Sequence, residues 1–172
     1  GCWDTKGGWV SRIRAHIDKD NGSLSEMNYI MVYNLGISGE TSAQLAKRFE
    51  QETECRLDPA EPTFFIISIG GNDAAWLKNK KRNIVPLPAF KRNMERIIRM
   101  ARKYSKNILI LGLKPYDETK TNPVSWLKDT CCRNSHVFKY NEALKKICVR
   151  EKIPFLNLYS KLNNQKFTAT LE

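Results

Sequence analysis

The stretch that most constrains this chain runs from Thr63 to Asp73, TFFIISIGGND. Phe64 to Ile69 carries no charge and is rich in β-branched and aromatic residues. Such a run predicts a strand buried on both faces, of the kind found inside a parallel sheet. It stops at Gly70-Gly71-Asn72-Asp73. Paired glycines open backbone angles closed to other residues and let a ligand approach the main chain. An Asn and an Asp then follow the carboxyl end of a central strand, the edge at which open α/β sheets bind ligands. The same four residues also suit a plain turn that caps a strand and starts a helix.

The flanking sequence supplies the rest of an α/β pattern. Trp9, Ile13 and Ile17 recur at helical spacing and predict a first helix to about Asp18, ended by the turn cluster Asp20-Asn21-Gly22-Ser23. Tyr29 to Asn34 (YIMVYN) reads as a strand, and Leu35 to Thr41 (LGISGET) as a glycine-punctuated loop. Ser42 starts a helix with Leu45, Ala46 and Phe49 inward. After two prolines in Ile84–Pro88, a helix from about Ala89 to Tyr104 turns Phe90, Met94, Ile97, Ile98 and Ala101 to one side. Asn107 to Leu113 reads as a buried strand, Lys114 to Ser135 as a long polar loop, His136 to Glu151 as a helix and Phe155 to Leu158 as a short strand. Alternating strands and helices predict parallel β-α-β units in a three-layer α/β/α sandwich, flavodoxin-like and of one domain.

Length and composition narrow the class. The 172 residues suffice for one real core, and no apolar run is long enough to span a bilayer. Five cysteines, an odd count without a regular framework, favour reduced thiols and a cytoplasmic setting. Cys131-Cys132 lacks metal-ligand spacing and only His16 and His136 could complement it, so no zinc site is expected. The net charge of +11 favours anionic partners. Much of it lies at helical spacing on Arg92, Arg96, Arg99, Lys103 and Lys106, which reads as the solvated side of an amphipathic helix. Lys78, Lys80, Lys81 and Arg82 form a second basic cluster. No aromatic-interleaved basic ribbon supports a nucleic-acid site, whereas anionic surfaces stay open as partners.

Two loops therefore stand at one edge of the expected sheet: Ser38-Gly39-Glu40-Thr41 at a helix start, and Gly70-Gly71-Asn72-Asp73. A helix start presents free N–H groups, and an Asn amide presents two more. Convergent neutral donors of this kind stabilise a developing oxyanion. On YNLGISGET (Tyr33–Thr41) and IISIGGND (Ile66–Asp73) the sequence resembles the SGNH, or GDSL-like, hydrolases. YNEALKKICVREKIPFLNLY (Tyr140–Tyr159) is similar to that family's last helix-strand unit, and GCWDTKGGW to the segment after its nucleophile loop.

The resemblance implies a serine hydrolase acting on small or lipid-like esters through an acyl-enzyme, without a cofactor. It matches Gly39 and Asn72 to the oxyanion donors, and Asn34 and Asp73 to positions that shape their loops. Ser38, Gly71, Asp73 and Trp76 are the expected substrate-binding residues, and the loops holding Trp76 and Trp126 the expected acyl pocket. Lys78 and Lys80 would favour anionic substrates. The family's nucleophile lies in a Gly-Asp-Ser block and its Asp and His in an Asp-x-x-His block. Neither is found in the sequence, so the expectation is an SGNH domain incomplete at both ends. His16, His136, Ser38 and Ser68 lack the context of a triad. A degenerate SGNH-like binding module and a basic surface-binding protein are the competing readings.

Overall fold

The computed structural model describes residues 4–21 and 30–163. The chain divides into two compact units, Gly1–Gly39 with Glu172, and Glu40–Leu171.

In the first unit, α1 (Gly8–Asn21) is the expected first helix. Asp4 closes its start by pairing with Arg12 at 2.9 Å. The strand read over Tyr29–Asn34 does not form. Tyr29 lies outside the described residues, and residues 30–37 hold no strand. A β-rich pattern becomes a strand only when a neighbouring backbone takes up its hydrogen bonds. No strand ladder among the described residues includes residues 30–34, and Ile30, Met31 and Tyr33 are exposed. The loop to Thr41 is as expected, with its turn at residues 38–39.

The second unit contains α2 (Ser42–Glu54), β1 (Phe64–Ile67), α3 (Gly71–Ala74), β2 (Trp76–Leu77), β3 (Arg82–Asn83), α4 (Leu87–Tyr104), β4 (Asn107–Leu111), α5 (Glu118–Thr121), β5 (Thr130–Cys131), α6 (Asn134–Glu151), β6 (Phe155–Leu156) and α7 (Leu158–Asn163). The main sheet is parallel, in the order β1-β4-β6. Phe65 pairs with Ile108 and Ile67 with Ile110, so these four side chains share a face. They join Ala46 and Phe49 of α2, the Phe90–Ala101 stripe of α4, and Val137, Tyr140, Leu144, Ile147 and Cys148 of α6 in one apolar core. The α4 stripe repeats every three to four residues, so one side of the helix is buried while Arg92, Arg96 and Arg99 are exposed. Helix α4 begins at Leu87, two residues ahead of the expected start. Pro88 fits in its first turn, where a missing N–H breaks no helical bond.

Burial on both faces is corrected for the Thr63 stretch. Phe64 is 73% exposed and Ile66 45%. Strand β1 ends the described sheet and pairs only with β4, and the core just described lies on the Phe65 and Ile67 side. Strict alternation then leaves the intervening side chains outside that core.

A second, small antiparallel sheet runs β3-β2-β5. Its hairpin carries the basic Lys78–Arg82 cluster at the tip, with Lys81 at a φ of 45°. The Lys114–Ser135 segment is thus more ordered than a plain loop, since it contains α5 and β5. Among the described residues, Cys55, Cys131, Cys132 and Cys148 are free thiols, and no helix is long and apolar enough to cross a membrane.

Candidate active site

The turn after β1 is shaped by what surrounds it. Gly70 adopts φ 120°, ψ −10°, a conformation that L side chains rarely enter. A Cβ at Gly70 would also lie 2.8 Å from Phe90 Cε2. A Cβ at Gly71 would lie 2.8 Å from the Tyr116 hydroxyl, so that ring takes the space a side chain would need. The chain then turns into α3, which carries Asn72 half-buried and Asp73 wholly buried.

Asn72 and Asp73 tie this turn to the start of α2. Asn72 Nδ2 donates to the Glu40 carbonyl at 2.8 Å. This bond orients the amide and leaves its second N–H uncommitted among the described residues. The Asp73 carboxylate accepts the Ser42 backbone N–H at 3.1 and 3.0 Å and also the Ser42 hydroxyl. Asn93 Nδ2 donates to the same hydroxyl oxygen at 2.9 Å. Burial pushes the Asp73 carboxyl above its ordinary range, and the Ser42 bonds pull in the opposite direction. The N-terminal dipole of α2 also favours a carboxylate there. Thr41 caps that helix: Gln44 Oε1 accepts the Thr41 N–H at 2.9 Å and its hydroxyl at 2.8 Å. Buried Glu40 is neutralised by the Arg48 guanidinium, whose Nε donates to Oε1 at 2.6 Å.

Asp73 is therefore not available to a ligand, which corrects its expected place among the substrate-binding residues. Its side chain is enclosed and its oxygens are occupied by Ser42. Its bonds to the Ser42 N–H tie the turn to the start of α2.

A second group of side chains borders the same turn. Tyr116 is held by Asn134, whose Oδ1 accepts the Tyr116 N–H at 2.8 Å and whose Nδ2 donates to the Tyr116 carbonyl at 2.9 Å. Trp76 meets the His136 ring edge-on, with centroids 5.1 Å apart. Asn83 Nδ2 donates to the Ala74 carbonyl at 2.7 Å and lies 2.9 Å from His136 Nδ1. A carbonyl accepts only from the nitrogen end of an amide, so Asn83 presents a donor to the imidazole as well. His136 Nδ1 is then the acceptor, and the ring proton sits on Nε2. Burial lowers the His136 pKa, and the charges of Lys139 and Arg133 lower it further.

In the first unit, Asn34 Oδ1 accepts the Gly36 N–H at 3.1 Å. Ser38 and Gly39 are exposed. Gly39 has a φ of 78° with open space around its Cβ position, so conformation rather than crowding calls for glycine there. Ser68, read as inside a strand, lies just past β1 and is exposed.

Sequence reasoning did not single out Ser42, Asn83, Asn93, Tyr116 or Asn134. Asn93 left a readable trace: it is a polar residue beside Phe90, Met94 and Ile97 on the inward side of α4. The other four carried no local signal.

The model of the GDSL-like Lipase/Acylhydrolase family matches residues 1–171. The chain belongs to that family. Three solved structures set this GDSL-like chain among known folds. A lipase/acylhydrolase from Enterococcus faecalis is 17% identical with a TM-score of 0.66, over 91% of this chain and 70% of its own. A catalytic mutant of an acetylxylan esterase from Geobacillus stearothermophilus is 18% identical with a TM-score of 0.64, over 100% and 72%. A GDSL-like lipase from Bacteroides thetaiotaomicron is 22% identical with a TM-score of 0.61, over 90% and 64%. No curated protein sequence matches the chain. At these identities the likeness is one of fold: mixed α/β with a parallel sheet, the SGNH hydrolase fold expected from the sequence.

Proposed function

We propose that this GDSL-like protein is an ester hydrolase working through an acyl-enzyme, with the Asn72 side-chain amide as an oxyanion donor; the family resemblance assigns the same role to the Gly39 backbone N–H. The observation that carries the reading is the state of Asn72. One amide N–H is used by the Glu40 carbonyl at 2.8 Å, which orients the group, and the other is uncommitted among the described residues. A donor oriented in advance costs no reorganisation when charge develops on the substrate oxygen. The buried Asp73–Ser42 bonds hold the turn that carries it. Family membership and esterase and lipase neighbours support ester bonds as the target. The attacking serine and its Asp and His partners are not assigned within the 172 residues, so the proposal concerns the oxyanion-binding half of the machinery.

The test is Asn72→Ala in the full-length protein, assayed on 4-nitrophenyl butyrate. Loss of one oxyanion donor costs about 10²–10³ in kcat. The expected result is a fall of that size with KM nearly unchanged. A loss confined to KM would assign Asn72 to ground-state binding instead.

A further inference from the structure

Arg133 immediately precedes α6 and lies beside the groups that border the Gly70–Asp73 turn. Its neighbour Asn134 holds Tyr116, and the Tyr116 hydroxyl covers Gly71. Two residues earlier, Cys131 pairs with Trp76 of β2. The Arg133 carbonyl accepts the N–H of His136 at 3.0 Å, and His136 in turn packs on Trp76.

The guanidinium Nε has no hydrogen-bond partner among the described residues. Arg133 is half-buried, and this Nε is enclosed. The other enclosed arginine of this unit behaves differently. Arg48, with its side chain 18% exposed, is bound by the Glu40 carboxylate. At the start of α6 the available carboxylate is Glu118, and its Oε1 accepts the Asn134 N–H at 2.6 Å. Enclosing an N–H of a charged group without an acceptor costs stability. Because Arg133 is only half-buried, the accessible part of its guanidinium can still meet an acceptor carried by a ligand. A guanidinium fork matches the paired oxygens of a carboxylate or a phosphate.

We propose that Arg133 is a substrate-positioning residue that pairs with a carboxylate or phosphate carried by the ester. This rests on the ester-hydrolase reading and narrows it to anionic esters. The positive charge of Arg133 also contributes, after burial and Lys139, to lowering the pKa of neighbouring His136.

The experiment compares the wild-type full-length protein with Arg133→Met and Arg133→Lys on two esters of equal acyl length. These are 4-nitrophenyl butyrate, which is neutral, and 4-nitrophenyl hemisuccinate, which is anionic. A charge-assisted pair predicts that Arg133→Met raises KM for the hemisuccinate about 10- to 100-fold. The constants for butyrate stay within about twofold, and Arg133→Lys recovers part of the loss because it keeps the charge without the fork. Calorimetric titration with succinate and with inorganic phosphate gives a readout independent of turnover. At least one of the two binds the wild type and not Arg133→Met, and the one that binds identifies the oxyanion. Equal losses on both esters, or no binding of either anion by the wild type, would overturn the proposal. Binding that depends on Arg133 without turnover of either ester would support the anion site and sink the hydrolase reading. Should Arg133→Met fail to melt cooperatively, Arg133→Lys carries the same comparison.

Discussion

Replacing Ser42 by Ala tests the bonds that hold the Asn72 turn to the start of α2. The hydroxyl donates to the wholly buried Asp73 carboxylate and accepts from Asn93 at 2.9 Å. A hydrogen bond to a charged group contributes about 1.5–3 kcal/mol and a neutral one about 1 kcal/mol. Ser42→Ala removes one of each, so the expected loss is about 2.5–4 kcal/mol, a large share of a typical stability of about 5–15 kcal/mol. The loss should depend on pH. Folded Asp73 keeps its proton to a higher pH than the ordinary 3.8, because burial disfavours the charged form. The folded state therefore binds that proton more tightly than the unfolded state, and stability falls as pH rises through the folded value. Removing the Ser42 donor pushes the folded value higher still. The extra loss is then complete at neutral pH, and it disappears below 3.8, where Asp73 is protonated in both states. Urea denaturation of the full-length protein and the variant, from about pH 7 down to about pH 4, measures this as a midpoint shift at constant slope. A penalty under about 0.5 kcal/mol, or one that does not shrink on acidification, would refute the view that this hydroxyl stabilises a buried carboxylate.

Gly70→Ala should cost at least about 1–3 kcal/mol from backbone strain alone, with further cost from the 2.8 Å approach to Phe90, and should lower the melting temperature. The lowered pKa of His136 means that its contribution to stability is present above 6.5 and is lost as pH falls from there toward the folded value. Its imidazole should accordingly titrate below 6.5 by NMR, and a midpoint at or above 6.5 would contradict the neutral state drawn here. Arg96→Glu with Arg99→Glu, both on the exposed side of α4, should leave turnover of a neutral short-chain ester within about twofold. A salt-sensitive collapse would show that this basic side steers substrate.

The features readable from sequence are those written into one segment at a time. The Phe90–Ala101 stripe and the inward residues of α2 and α6 each repeat with the helical period, a property of local backbone geometry, and the Asn107–Leu113 strand was legible as one continuous apolar run. The resemblance at residues 33–41 and 66–73 was readable for the same reason, because each block is contiguous. What depended on distant partners was not readable. YIMVYN has the composition of a strand, yet the described residues 30–34 form none, and composition alone does not make a strand. The two-residue strands β2, β3 and β5 are too short to show a period, and only their mutual pairing defines them. Asp73 looked like a ligand group because a carboxylate after two glycines is polar and close to a sheet edge. Its burial was decided by Ser42, 31 residues away in sequence, and by Asn93 on a third element. Arg133 is one of 29 Lys and Arg residues, and nothing in the sequence around it sets it apart. Only the packed structure shows that its Nε is enclosed without a partner among the described residues, because burial and hydrogen-bond satisfaction are set by neighbours that the local sequence does not contain.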